Sequence, residues 1–543
     1  MLSRKLFYLT TACTFLFSFN QAAAEPIVCP GGNCDGNTIS SWDGDASEME
    51  VNDGGVAANN TVSTGGVMNV NQGGTANNTS ISNNLWGGGT VNVNEGGTAN
   101  STTVKEGTLN AAAGSTVNKT TVESYGTMNI EAGANTDTVS NSGNLNLKDG
   151  ASVSNVSNYG HISAGKDVSI DGLKLSSDSS FDFSTDMTVE NGSYTNEHTD
   201  KHISIKDKQA TDVVITSGSS FTVTEGGSLN NSIVKGGDDY SSGGKLVSVE
   251  KDSSIDNLTI EEGGEFEIST DTAISNSTNN GQNISIQDHK AEGFVLDSGQ
   301  TLIVRGDGTA EGTVINQGKM EAESGATLNK TEVNGSLEIV SGVTANDTNV
   351  NQGGSLNVSG GSLNNTNIAA DAALTADGGK FNGLTMENGS RFDLTTDSEI
   401  TNGKQQLESG ESSFSITDKK ADGLQITDGN RFTVKDDGAA NNTLVAAGGS
   451  VTVAGNGKAD NLTIENGGNY NLSSTNTISN AVVKDSEGKE HRFTIADNKA
   501  VDAYLASGGV LSVEKDGVAK NTVIDGGTLS VNFASADGTV VKS

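Results

Sequence analysis

Short triplets in which a polar residue separates two apolar residues recur along the chain. Examples are VNV at 91–93, MNI at 128–130 and LNL at 145–147. Alternation with a period of two places the apolar residues on one face of a β-strand and the polar residue on the other. We therefore expect short strands with one face in an apolar interior and the other in water.

The triplets return at a nearly constant interval, with steps of 23, 18, 19 and 17 residues between the first apolar positions Met68, Val91, Leu109, Met128 and Leu145. A fixed period of this length is typical of solenoids, in which each repeat is one coil. We predict a single-stranded parallel β-helix of about 19–20 residues per coil, with two strands per coil. Coils stacked about 4.8 Å apart would align equivalent Asn and Thr side chains in hydrogen-bonded ladders.

A longer unit occurs four times in the second part of the chain. It contains an aromatic-led strand, as in FEISTD at 266–271, and then a segment such as ISIQDHKA at 284–291. We interpret each unit as about four coils and predict one continuous rod. The predicted divisions are 1–24, signal peptide; 25–50, cap; 51–165, short repeats; 166–320, composite repeats; 321–370, short repeats; and 371–543, composite repeats with an open end.

The first 24 residues have the features of a secretory signal peptide. Arg4 and Lys5 precede an apolar run at 6–19, and small residues at 22–24 precede Glu25. The apolar run is too short to span a membrane. We expect cleavage before Glu25, export through the inner membrane, and no membrane insertion by this chain itself.

Two cysteines remain after the predicted cleavage. Cys29 and Cys34 lie in CPGGNC, and the Gly-Gly pair between them allows a tight loop. Export favours a disulfide between such near neighbours. We expect this bond to clip the N-terminal edge of the fold.

The amino-acid composition, and above all the net charge, limits the classes of partner that the chain can bind. The formal net charge is −36, with 68 acidic and 32 basic residues. Nucleic acid needs a basic surface, so we exclude it as a partner. The chain has 70 Gly but only two Pro, Pro26 and Pro30. A chain whose backbone N–H groups join sheet ladders excludes proline and places glycine at corners.

Residue patterns of hydrolytic chemistry are absent from the sequence. It contains no H-E-x-x-H motif, and it has five histidines. His289 stands where sister repeats have Lys208, Lys419 and Asn498, which indicates a solvated corner. The recurring Asp of the same segments (Asp288 in the second unit) lacks the further acidic ligands of a calcium loop, so we interpret it as a turn residue. We expect no enzymatic activity, cofactor or metal.

One short motif has two interpretations. Arg305-Gly306-Asp307 lies in LIVRGDGTAEG, where a strand gives way to a corner. An exposed tripeptide of this kind can attach to integrins. Sister segments read TVKDDG at 433–438 and SVEKDG at 512–517, so the arginine also fits an ordinary variable turn.

The signal peptide together with NNTVSTGGVMNVNQGGTA at 59–76 resembles the passenger region of AIDA-type autotransporter adhesins. The resemblance implies a right-handed β-helix at the Gram-negative cell surface, or secreted, with roles in adhesion to host cells, self-association and biofilm formation. It also implies O-linked glycosylation by a glycosyltransferase, at Thr61, Thr79 and Thr120. Host cells and neighbouring bacteria are the implied partners.

The chain departs from that family at its C-terminal end. Members end in a translocator barrel, whereas TLSVNFASADGTVVKS at 528–543 resembles another coil. We therefore expect either a fragment of a longer or frameshifted gene, or a passenger that is released by other means. The alternative functions are an effector that binds one host receptor and a polysaccharide-acting β-helix enzyme.

Overall fold

The computed structural model describes residues 25–41, 47–82, 87–195, 200–237 and 243–542. Two compact units divide the chain, Met1–Leu175 and Ser176–Ser543. The predicted signal peptide lies outside the described residues. The described ranges contain strands and turns and no helix, and hence no helix that could span a membrane.

The first unit is a β-solenoid in which strands pair in parallel with their equivalents one repeat away. Met68 pairs with Val91, and the row continues through Leu109, Met128 and Leu145, as the triplet spacing predicts. All five side chains are fully buried. The solenoid prediction is therefore confirmed. Its strands are Ile27–Cys29, Thr38–Ser40, Glu48–Val51, Val56–Ala58, Thr61–Ser63, Val67–Val70, Thr75–Asn77, Ser80–Ile81, Gly89–Val93, Thr98–Asn100, Thr103–Ala111, Thr116–Ile130, Asn135–Asn141, Asn144–Leu147, Ser152–Asn158, His161–Ala164, Ser169–Asp171 and Lys174–Ser176.

Three rows of paired strand segments form the coils of this unit, and the expectation of two was wrong. In Thr116–Ile130 the three segments continue as one long strand. The third strand carries a single buried Ala or Val, in the row Ala57, Ala76, Ala99 and Val117. A Thr-Ala-Asn strand has one apolar residue and therefore shows no alternation in the sequence.

Corners between the strands require a left-handed backbone. Gly73 has φ of 73°, and Asn78 at the next corner has φ of 52°. Asparagine tolerates this region better than most residues, and glycine has no steric penalty there. The next residue, Gly74, has to be glycine for a different reason. A Cβ atom at this position would lie 2.2 Å from the carbonyl oxygen of Val51 in the adjacent coil.

A ladder of asparagine side chains runs along the outer face of the first unit. Asn92 donates to Asn69 at 2.8 Å, Asn110 to Asn92 at 2.9 Å, and Asn129 to Asn110 at 2.7 Å. Asn146 extends the ladder by donating to Asn129 at 2.8 Å. Each amide offers both a donor and an acceptor, so one residue type can repeat without limit along a stack. The predicted asparagine ladder is present, but the predicted threonine ladder is not, because the buried hydroxyls of Thr79, Thr102 and Thr120 have no hydrogen-bond partner.

The second unit also stacks parallel strands. One row is Ser180–Ser184, Ser220–Val223, Lys245–Val249, Glu265–Ser269, Gln300–Val304 and Lys319–Ala322. A nine-stranded sheet comprises Ser336–Ile339, Ser355–Val358, Ala373–Ala376, Arg391–Thr395, Arg431–Val434, Ser450–Val453, Asn469–Ser473, Gly509–Val513 and Thr528–Val531. A three-stranded sheet comprises Tyr504–Ala506, Val523–Asp525 and Val540–Val541.

The other strands of this unit belong to further rows. They are Ser193–Thr195, Asp200–Lys201, Val214–Ile215, Ser228–Asn230, Ile233–Val234, Ser254–Asp256, Thr259–Ile260, Val295–Leu296, Thr309–Glu311, Val314–Ile315, Thr327–Asn329, Glu332–Val333, Thr344–Val350, Ser362–Ile368, Lys380–Met386, Gln425–Ile426, Ala439–Asn441, Leu444–Val445, Lys458–Asp460, Thr463–Ile464, Val518–Lys520 and Ser535–Asp537.

Each composite repeat contains antiparallel strands, and its interpretation as four parallel coils was wrong. Ile286 pairs antiparallel with both Ile274 and Ala291. The corresponding strands of the four repeats are Thr188–Glu190, Ser204–Lys206 and Gln209–Thr211; Ala273–Asn279, Gln282–Gln287 and Lys290–Glu292; Glu399–Leu407, Gly410–Thr417 and Lys420–Asp422; and Thr477–Lys484, Glu490–Ala496 and Lys499–Val501.

The recurring Asp of these segments is the first of two residues in a hairpin loop. Asp288 and His289 have φ of 49° and 61°, and Gln287 pairs with Lys290 across the loop. Positive φ at both central residues defines the type I′ turn that favours tight hairpins. Aspartate enters that region more readily than most residues, which accounts for its recurrence.

Replacing Ile286 by Asp tests the assignment of the interior. Ile286 is fully buried, so an unpaired carboxylate there should cost several kcal/mol. Since solenoid contacts are between nearest neighbours, hydrogen exchange measured by mass spectrometry should accelerate in 273–311 and not in distant coils. The matched control is Gln287→Asp on the exposed face of the same strand. Equal exchange in the two variants would contradict the assignment.

Replacing Asn110 by Ala tests the ladder. The change removes two side-chain hydrogen bonds, to Asn92 and Asn129, each contributing about 1 kcal/mol. We expect faster hydrogen exchange in 89–130 of the processed chain. Lys105→Ala, an exposed change on the same strand, should leave it unaltered. If both variants exchange like the unmodified chain, the amide ladder contributes nothing to stability.

Candidate functional site

The N-terminal cysteines lie at the first coil of the first unit. A disulfide joins Cys29 and Cys34, whose Cα atoms are 6.1 Å apart. Cys29 ends a strand that pairs in parallel with Glu48–Val51, and the amide of Cys34 donates to the carbonyl of Val56 at 2.8 Å. The bond therefore closes a loop between two segments that each pair with the following coil.

The three threonines assigned to glycosylation differ in accessibility. Thr79 and Thr120 are 1% and 2% exposed, whereas Thr61 is half-buried. In the folded solenoid, Thr79 and Thr120 are out of reach of a modifying enzyme. Thr61 aligns with Ser80 and Thr103 in the adjacent coils, and not with Thr79. The hydroxyl row that faces outwards therefore contains the residue that follows Thr79. A shift of one residue exchanges the two faces of a strand.

The Arg305-Gly306-Asp307 motif is engaged within its own chain. Arg305 Nη1 donates to Glu323 Oε1 at 2.6 Å, and its Nε lies 3.4 Å from Asp271 Oδ2. Asp307 is exposed over 72% of its side chain, and its Oδ1 lies 3.5 Å from His289 Nδ1. The guanidinium is therefore already occupied by two carboxylates, which disfavours its use as a receptor contact.

His289 lies in an exposed hairpin loop, as the sequence indicated, and it also contacts two carboxylates. Its Nδ1 is 3.5 Å from Asp307 Oδ1 and 3.7 Å from Asp271 Oδ1. Ligand atoms of these three residues lie within 4.8 Å of one another, a spacing that could hold a metal ion. Repeat comparison missed the contact because Asp271 is 18 residues from His289 and meets it only because the intervening strands fold back antiparallel, with Ile274 opposite Ile286.

The sister hairpins place a different polar group at the same point. Lys208 Nζ lies 3.5 Å from Asp186, and Lys419 Nζ lies 3.6 Å from Asp397. In the fourth repeat the oxygen of Asn498 accepts from Ser474 at 2.5 Å. Three of the four repeats thus place a nitrogen base or an ammonium group beside a carboxylate.

A second polar cluster, absent from the sequence predictions, lies in the last coils. His491 Nε2 is 2.9 Å from Asp485 Oδ2, and the imidazole stacks on Tyr504 with the ring centroids 3.8 Å apart. The Tyr504 hydroxyl donates to Asp525, which also pairs with Lys542 at 2.9 Å. The hydrogen bond from His491 lowers the pKa of Asp485, and burial raises the pKa of Tyr504. One face of the imidazole is therefore engaged by Tyr504 and its Nε2 by Asp485.

A family model described as "Adhesin of bacterial autotransporter system, probable stalk" matches 276–336, 408–468 and 484–543. These three segments make up about a third of the chain and lie in the second unit. Each match begins at or near a composite-repeat hairpin. No curated protein shows significant similarity to the chain.

Three solved structures illustrate the likeness to known folds. A TibC-catalysed hyper-glycosylated TibA fragment is 17% identical over 82% of this chain and 99% of its own, with a TM-score of 0.20. Alginate lyase AlyGC is 9% identical over 96% of this chain and 97% of its own, with a TM-score of 0.15. The Streptococcus pneumoniae surface protein and adhesin PfbA is 11% identical over 84% of this chain and 90% of its own, with a TM-score of 0.10. TM-scores this low decide nothing about function.

Oxidation state provides a test of the N-terminal clip. If Cys29 and Cys34 are bonded after export, the processed chain should take up no thiol-alkylating reagent until it is reduced. Cys34→Ser should destabilise residues 25–41 by about 2 kcal/mol, the loop-closure value for a short loop. We expect hydrogen exchange in residues 25–41 of the Cys34→Ser variant to be faster than in the unmodified chain, and reductant should not change it further. Alkylation of both cysteines without reduction would contradict the bond.

Proposed function

We propose that the chain is the exported passenger of an adhesin, acting in attachment between cells and not as an enzyme. The support is the match of three of its segments to the model of a bacterial autotransporter adhesin stalk. The family supports a location outside the inner membrane, at the cell surface or released from it. The proposed partners are host cell surfaces and neighbouring bacteria, in adhesion, autoaggregation and biofilm formation.

The observation that carries the proposal is the repetition of one polar surface from coil to coil. In the first unit, the amide ladder from Asn69 to Asn146 is accompanied by the outward hydroxyl row of Thr61, Ser80 and Thr103. Many weak, equivalent contacts give avidity through effective concentration. A catalytic site needs one unique constellation, whereas an adhesive surface gains from each further coil.

The negative charge of the chain affects how strongly two such surfaces associate. The formal net charge of −36 makes identical chains repel each other at long range. Salt screens this repulsion, with a Debye length of about 8 Å at physiological ionic strength. Self-association should therefore strengthen as salt is added from a low level, whereas contact with a basic host surface should weaken.

A glycosyltransferase remains a proposed partner, with a revised set of acceptors. The hydroxyl row of Thr61, Ser80 and Thr103 is at least partly exposed, and it repeats at every coil of this region. Sugars on such a row would extend from the solenoid without disturbing its interior. Acceptors at Thr79 and Thr120 would require modification before folding.

Deleting whole coils tests whether adhesion is distributed, that is, whether it comes from many equivalent contacts along the coils and not from one site. The chain is displayed on a non-adherent bacterium through an outer-membrane anchor. Removing 109–127 deletes one coil and removing 68–144 deletes four, each in register, because Leu109 aligns with Met128 and Met68 with Leu145 through the stack. Attachment and aggregation should fall gradually with the number of coils lost.

Asp307→Ala is the matched test for a discrete receptor site at 305–307. Under distributed adhesion this variant should attach like the unmodified chain, with equal display measured by surface antibody labelling. Complete loss of attachment from this single change would instead identify one receptor site and contradict distributed adhesion.

A further inference from the structure

We propose that Asp271, His289 and Asp307 bind a divalent transition-metal ion such as Zn²⁺ at the surface of the second unit. The ligand atoms are His289 Nδ1 and one carboxylate oxygen, Oδ1, of each aspartate. They lie within 4.8 Å of one another. This proposal is independent of the adhesive function.

Three separate turns bring the ligands together. Asp271 follows the strand Glu265–Ser269, and Asp307 lies in the corner after Gln300–Val304. These two strands pair in parallel, with Ser269 opposite Ile303, so the residues that follow them are neighbours. His289 projects from the hairpin loop before Lys290–Glu292, whose parallel partner Thr309–Glu311 begins just after Asp307. Each ligand is thus fixed by a strand that ends beside it.

The distances between the ligand atoms suit a shared ion better than direct hydrogen bonds. His289 Nδ1 is 3.7 Å from Asp271 Oδ1 and 3.5 Å from Asp307 Oδ1. Hydrogen bonds between nitrogen and oxygen are shorter, at about 2.7–3.2 Å. Two ligands about 2.1 Å from one tetrahedral zinc ion are separated by about 3.4 Å. A small movement of the side chains would complete the site.

The sister repeats provide a second, independent observation. At the position of His289 they place Lys208 and Lys419, whose ammonium groups lie 3.5 Å and 3.6 Å from the equivalents of Asp271. The fold therefore accommodates a positive charge at this point. A neutral imidazole offers a lone pair in place of the ammonium group, so an external cation can supply the charge.

Arg305 positions one ligand. Its Nε lies 3.4 Å from Oδ2 of Asp271, which leaves Oδ1 directed towards His289, and its Nη1 is held by Glu323 at 2.6 Å. Contacts of this kind orient metal-ligating carboxylates. The ligand set also selects the ion, because imidazole suits zinc, copper and nickel, whereas calcium takes six to eight oxygen ligands. With three protein ligands, a fourth position stays open to water.

Titration calorimetry of the processed chain with Zn²⁺ tests the site. We expect one ion per chain, and at least tenfold weaker binding by His289→Lys, which introduces the residue of two sister repeats and should fold normally. Asp307→Asn, a change at an exposed side chain, should weaken binding as well. His202→Lys, at an exposed histidine outside the site, should bind like the unmodified chain.

A spectroscopic readout identifies the ligand directly. The imidazole resonances of His289 should shift on addition of Zn²⁺, while those of His202 should not. The proposal is overturned if the unmodified chain binds no zinc up to millimolar concentration. It is equally overturned if His289→Lys binds as tightly as the unmodified chain, or if the His289 resonances do not move.

Discussion

Parallel pairing between successive coils is the constraint on which the rest of this structure depends. Each strand bonds to its equivalent one repeat earlier and one repeat later, as in the row from Met68 to Leu145. Every residue therefore has its own counterparts as nearest neighbours along the stack. A side chain is acceptable at a position only if it tolerates a copy or near-copy of itself about 4.8 Å away.

That constraint explains which residues occupy which rows. Aliphatic side chains stack inside without polar groups to satisfy, and asparagine stacks outside because its amide both donates and accepts. Corners admit glycine, asparagine and aspartate, since the chain must pass through positive φ there. Carboxylates cannot repeat in the same way, because like charges directly opposite each other repel. Acidic residues at the outer rows are instead bonded to amides, as Glu50 is to Asn69 at 2.6 Å, or to lysines, as Glu399 is to Lys380 at 3.2 Å.

Unique chemistry arises where the repetition is broken. The hairpins of the composite repeats insert antiparallel strands and so bring a loop residue against a corner of the stack. In three repeats that residue is a lysine or a histidine beside an aspartate. The chain thus combines extended rows of equivalent polar groups with isolated positions whose chemistry differs from one repeat to the next.

The sequence by itself determined the period, the parallel stack, the buried rows and the asparagine ladder, because each of these is a property of a residue and its equivalents one repeat away. Only the tertiary structure decided the third strand of each coil, since a lone buried alanine leaves no alternation. It also decided that the composite repeats fold back, that Thr79 and Thr120 point inwards, and that His289 meets Asp271 and Asp307. These features depend on the side of the strand and on contacts between non-equivalent positions 18 residues apart, and periodicity carries no information about either.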